Sequence, residues 1–151
     1  MKIETLEKIK EFNEKAGLLQ YGFKDFKENQ YVIEEALEGF DTSYLANKLN
    51  VHEDATPKDI SRAIVTGCCA LAEPIEDVDR LDKILDIIYF SYGAALKLGL
   101  SHSQIDRAMD IVCKANLTKL SVGKDEQGKQ MKPIDFISPE PELQKILDER
   151  K

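Results

Sequence analysis

Apolar residues recur at helical spacing through most of the chain. Ile3, Leu6, Ile9 and Phe12 stand three residues apart, which predicts an amphipathic first helix over residues 3–15. Gly17 and Gly22 punctuate the segment beyond it. A second helix is predicted from about Glu28 to Asn50, with Ile33, Leu37, Phe40 and Tyr44 as its core face. Gly39 and Asp41-Thr42 are the places where it would break or kink. Thr56-Pro57-Lys58-Asp59 reads as an N-cap, a proline at the first helical position and an acid in the first turn, opening a helix to about Leu71. Pro74 starts the next helix, which runs to Leu98 and stops at Gly99. Ser101-His102-Ser103-Gln104 has capping-box spacing and begins a helix reaching about Leu120. Residues 121–137 hold glycines, lysines and a proline without helical period and read as a long polar loop. Ser138-Pro139 opens a last, mostly polar helix. The prediction is an all-α protein, an antiparallel helical bundle forming one domain over 1–151, with helices at about 28–50 and 74–98, a further helix at about 57–71 and a polar C-terminal loop at 121–137.

A length of 151 residues suits one domain with a continuous core. No 18-residue apolar run exists, so no membrane-spanning helix is expected. The opening MKIETLEKIKEF lacks the apolar centre of a signal peptide. Cys68, Cys69 and Cys113 form neither a CxxC pair nor an even framework, and the cytoplasm is the expected compartment. A net charge of −7 disfavours duplex nucleic acid, whose binding needs cations that displace counterions. A polyanionic substrate would need bound divalent cations to offset that negative field. With only His52 and His102 present, histidine-based zinc sites and serine–histidine triads are not expected.

Candidate chemistry lies in the carboxylates. Around Ile84-Leu85-Asp86-Ile87-Ile88-Tyr89-Phe90, apolar side chains surround nearly the whole helix. Such a helix is expected to be buried on most sides, stranding Asp86 mid-helix, where a carboxylate needs a cation, a metal or a proton. Asp82 lies one turn earlier on the same face, and Asp79 one turn before that. On the second helix Glu34, Glu35 and Glu38 share one side, with Glu34 bordering the core. Antiparallel helices would let these glutamates meet Asp82 and Asp86 around a shared ion. Ligands that are all oxygen point to magnesium or manganese. Against this stands the plainer reading of a solvated glutamate triplet and a dipole-friendly Asp79.

Glu34-Glu35-x-x-Glu38 followed by an acid-bearing apolar helix resembles the all-α nucleotide pyrophosphohydrolases, in particular the MazG-like and phosphoribosyl-ATP pyrophosphohydrolase-like group. DKILDIIYFSYGAALKLGL (82–100) looks like that superfamily's second metal helix and KANLTKL (114–120) like its N-x-x-K element. The likeness covers roughly residues 28–136. Two features depart from the pattern. Asp82 and Asp86 stand as D-x-x-x-D where the family usually has E-x-x-D, and the helix at 57–71 lengthens the spacer between the acidic motifs.

The resemblance implies magnesium-dependent water attack on an α-phosphorus, releasing a nucleoside monophosphate and pyrophosphate. Glu34, Glu35, Glu38, Asp82 and Asp86 would hold metal, and one of the three glutamates would accept the water's proton. Asn116 can pair with a base or sugar and Lys119 with phosphate, while the loop adds Lys124, Lys129 and Lys132, of which Lys132 is the candidate substrate contact. A lysine-bearing loop could close over a triphosphate. Tyr89, Phe90 and Tyr92 are expected in the core rather than against a base, and Cys68 and Cys69 as small core filler. A homodimer or dimer-of-dimers tetramer is expected, since helices apolar on several sides usually bury one against another subunit. The alternatives are a non-catalytic helical nucleotide-binding or assembly module and a di-iron bundle. The bundle would need Glu-x-x-His motifs that neither histidine supplies.

Overall fold

The computed structural model describes residues 2–52, 54–69, 75–125 and 129–150, with the side chains of Tyr21 and Cys69 left aside. The described residues form seven α-helices and no β-strand, so the fold is all-α: α1 (Ile3–Lys15), α2 (Asp25–Leu37), α3 (Ser43–Lys48), α4 (Pro57–Cys69), α5 (Asp77–Lys97), α6 (His102–Thr118) and α7 (Glu140–Asp148). By its contacts the chain divides into two compact units, one of residues 21–76 and the other of residues 1–20 with 77–151. The expected helix start at Pro74 and the end at Leu71 lie outside the described residues.

In the unit of residues 21–76, α2 packs on α4. Ala46, Ala55 and Ile60 form the buried centre, with Leu37, Leu45, Val51 and Ile64 packed around it. The predicted second helix is interrupted: α2 ends at Leu37, and Gly39 takes φ 86°, a left-handed conformation that favours glycine. Asp41 then accepts a hydrogen bond from the Ser43 N–H at 2.9 Å and starts α3. Because the chain turns at Gly39, Phe40 and Tyr44 do not continue the core face of Ile33 and Leu37. Both are exposed, at 73% and 69%.

The start of α4 follows its sequence. The Asp59 carboxylate accepts from the Thr56 N–H (2.9 Å) and hydroxyl (2.6 Å), while the Asp59 N–H donates to the Thr56 hydroxyl at 3.3 Å. These bonds hold the Asp59 carboxyl below its ordinary pKa, the side-chain bond from Thr56 contributing most.

In the other unit α1 and α7 both pack on α6. Ser101 and Gln104 form the expected capping box. The side of α1 turned inward is not the predicted one. Thr5 and Ala16 are buried and Phe12 is half-buried, while Ile3, Leu6 and Ile9 stay exposed. Lys8, on the inward side, pairs with Asp110 of α6, which also receives Lys114 at 2.8 Å. The hydrogen bonds from Lys114 and then Lys8 lower the Asp110 pKa. Arg107 grips both carboxylate oxygens of Glu149 at 2.7 Å, and Gln104 donates to the Ile146 carbonyl at 3.3 Å, fastening α7. Ile146 is the apolar centre of that contact, at 2% exposure.

Gly99 ends α5 at φ 85°, as its position suggested. The helix itself contains no buried residue. Among the described residues no single helix is long and apolar enough to cross a membrane.

Candidate functional site

The acidic residues fall on two helices in two units. Glu34 and Glu35 lie in the last turn of α2, and Glu38 caps its end. The Glu38 N–H still bonds the Glu34 carbonyl at 3.2 Å, and its φ of −59° is helical; only ψ departs. Its Cβ therefore leaves the backbone where the next helical residue would place it, and the i,i+4 relation to Glu34 survives the break. Glu34 is buried at 5% exposure, while Glu35 and Glu38 are exposed. The border position read from the helical wheel thus becomes a buried one.

On α5 the expectation of burial is overturned. Asp86 and Asp82 are both exposed, as are Leu85, Ile88, Tyr89 and Phe90 around them. The reason lies in the helix: it is apolar on more sides than the described chain covers. Asp79, Asp82 and Asp86 do fall on one side of the helix, with Lys83, Ile87 and Phe90 beside them. Arg80 turns to Asp77 at 2.7 Å, an i,i+3 pair at the helix start. Among the described residues no group of three or more His, Cys, Asp or Glu could hold a metal ion.

The aromatic residues of α5 are likewise outside any core. Tyr89 and Phe90 meet edge to face with centroids 5.5 Å apart, both exposed. Tyr92 stacks on His102 and shares a 2.7 Å hydrogen bond with its Nδ1. Cys68, expected as core filler, is exposed. Cys113 is buried, and desolvation raises its thiol pKa; the expectation for Cys69 falls on a side chain outside the described ones.

The polar segment after α6 is more ordered than its composition suggests. A short 3₁₀ turn (Lys119–Ser121) continues α6, and Lys124 and Gln130 pair as an isolated antiparallel bridge. The Gln130 side chain donates to the carbonyls of Lys119 at 2.8 Å, of Val122 and of Gly123 at 3.3 Å. Lys124 donates to the Ala16 carbonyl at the C-terminal end of α1 at 2.5 Å, where a cation suits the helix dipole.

Asn116, Lys119 and Lys132, the candidate substrate contacts, all lie near Phe136 or a residue that touches it. Lys119 Nζ donates to Asn116 Oδ1 at 2.7 Å and lies 5.5 Å from the centre of the Phe136 ring. Lys132 Nζ lies 5.2 Å from the same ring centre. Phe136 has no role assigned from sequence. Its signal is the turn after Pro133, where the Phe136 N–H bonds the Pro133 carbonyl at 3.0 Å and brings the ring back toward Lys132.

No protein-family model matches the chain, and no curated protein or solved structure matches it either.

Proposed function

We propose that the chain is a magnesium-dependent nucleotide pyrophosphohydrolase, with a bundle of the all-α pyrophosphohydrolase type, working as a homo-oligomer on a nucleoside triphosphate or related nucleotide. What supports this reading is the acidic side of α5, where Asp79, Asp82 and Asp86 align along a 21-residue helix otherwise rich in exposed apolar residues; Asp86 is exposed, so burial does not argue for a metal there. The glutamate triad of α2 and the lysine cluster beyond α6 supply the other two kinds of group such chemistry needs, metal-binding oxygens and phosphate-binding cations.

The donor chemistry fits magnesium, since Glu34, Glu35, Glu38, Asp82 and Asp86 offer oxygen alone, and manganese is the natural substitute. Bound there, the metal would polarise phosphate oxygens and lower the pKa of a water. The glutamates belong to one compact unit and the aspartates to the other, and the proposal assigns both sets to the metal. A glutamate of the triad accepts the attacking water's proton. Asn116 faces the base or sugar, and Lys119 and Lys132 take the phosphates.

The exposed apolar residues of α5 support self-association. Leu85, Ile88, Tyr89 and Phe90 are each at least half exposed, and covering such side chains is worth about 1.5–3 kcal/mol apiece. The same surface favours a second reading, a helical assembly module without catalysis. A panel of nucleoside triphosphates assayed for pyrophosphate release with magnesium or manganese separates the two. Turnover that Glu38→Gln and Asp86→Asn abolish supports the enzyme. A chain that releases no pyrophosphate with either metal, and whose melting temperature ignores both, is the assembly module.

A further inference from the structure

The apolar residues of α5 include a regular seam. Val78, Leu81, Leu85, Ile88, Tyr92 and Ala95 follow one another in alternating steps of three and four, the heptad spacing by which two helices pack side by side. The first four are exposed at 70%, 56%, 54% and 50%, and none of the six is buried. With Tyr89 and Leu96 on its flank, the seam offers about 600 Å² per copy, close to the roughly 800 Å² per partner of a stable complex. A monomer rarely keeps so large an apolar stripe in water.

Charge selects the direction of pairing. Residues 77–86 carry Asp77, Asp79, Asp82 and Asp86 against Arg80 and Lys83, whereas residues 87–97 carry Lys97 alone. Parallel helices would set two acidic halves side by side with their dipoles aligned. Antiparallel helices set each acidic half against the half that ends in Lys97, with the dipoles opposed. In that arrangement the repeat also matches itself, Leu85 facing Ile88, Leu81 facing Tyr92 and Val78 facing Ala95 of the other copy. A second copy therefore meets spacing and charge together.

We infer that α5 packs antiparallel on α5 of a second copy, with the Leu85–Ile88 layers at the centre. The inference rests on the homo-oligomer proposed above and gives it a seam and a direction. Asp79 and Asp86 each follow a seam residue, at positions that turn away from the partner helix, so pairing leaves them to the metal.

The test is cross-linking of the full chain by a short bismaleimide, with Cys68 and Cys69 replaced by serine. Val78→Cys and Ala95→Cys are made singly and combined in one chain. Along one helix these positions stand about 25 Å apart, beyond the reagent's reach. The doubly substituted chain is expected to give a covalent dimer, and neither single variant is. Leu85→Glu, with its helical circular dichroism unchanged, is expected to lower the association constant about 100-fold or more in sedimentation, since each dimer buries two such leucines. Cross-linking of a single variant marks parallel helices and overturns the inference, as does a Leu85→Glu protein that associates like wild type. A wild type that sediments as a dimer while the doubly substituted chain stays unlinked sinks the seam alone, and a monomeric wild type sinks the homo-oligomer with it. Absence of pyrophosphate release from a correctly linked dimer sinks the hydrolase and leaves the seam.

Discussion

The unit of residues 21–76 hides a carboxylate, Glu34, whereas α5 of the other unit displays its apolar side chains. Sequence places Glu34 at the border of its core face, which the structure carries further inward, and buries Asp86, which the structure leaves exposed. Glu34 is buried in a unit whose α2 and α4 pack against each other around Ile60. Helix α5 carries a longer apolar run, yet no residue on it is buried. Hydrophobic content therefore measures how much cover a helix calls for and leaves open where that cover comes from.

The largest effects should come from the acids. Glu34→Gln, Glu38→Gln and Asp86→Asn are each expected to lower pyrophosphate release about 100-fold or more, since altering even groups that only support a metal ligand costs about 10–100-fold. Normal turnover in Asp86→Asn would break the proposed link between the two helices. Next, Ile60→Ala should destabilise its unit by about 2–5 kcal/mol, read from urea unfolding, because the residue is fully buried. Ile88→Glu, on the uncovered side of α5, should leave the helical signal intact and shift light scattering toward the monomer. The expected weakening is about 1.5–3 kcal/mol per copy. An unchanged oligomeric state would remove α5 from the assembly.

A smaller effect belongs to the α4 cap. Asp59→Asn should cost about 0.5–2 kcal/mol at neutral pH. Because the folded-state pKa of Asp59 is depressed, its stabilisation is complete above the unfolded value of about 3.9 and is lost as pH falls through the folded value. Melting curves of wild type and variant should therefore converge in acid. The smallest effect is expected for Lys114→Ala, which removes one of two cations from Asp110 in an exposed pair worth about 0–1 kcal/mol.

Features set by neighbours in sequence are legible without coordinates. The Thr56 cap with Asp59 in the first turn, the Ser101–Gln104 box and the stop at Gly99 each depend on a few neighbouring residues, and each forms as read; the reciprocal Thr56–Asp59 bonding goes beyond that reading. The shared side of Asp79, Asp82 and Asp86 also forms as read, since it comes from helical geometry alone. The inward side of α1 escapes a periodicity reading because Lys8 packs inward against Asp110, and an ion pair across 102 residues leaves no local trace. Phe40 and Tyr44 leave their expected face because one glycine changes the direction of the chain. The described residues of 121–137 look irregular in sequence because their order comes from side chains bonding distant carbonyls, which no periodicity reports.

The side-chain amide of Gln130 has a kinetic consequence. By serving the carbonyls of Lys119, Val122 and Gly123 together, it ties the stretch before Lys132 to the end of α6 ahead of any encounter with ligand. An incoming anion then pays little ordering entropy for that stretch. Mixing the metal-free chain with tripolyphosphate should accordingly show one concentration-dependent phase.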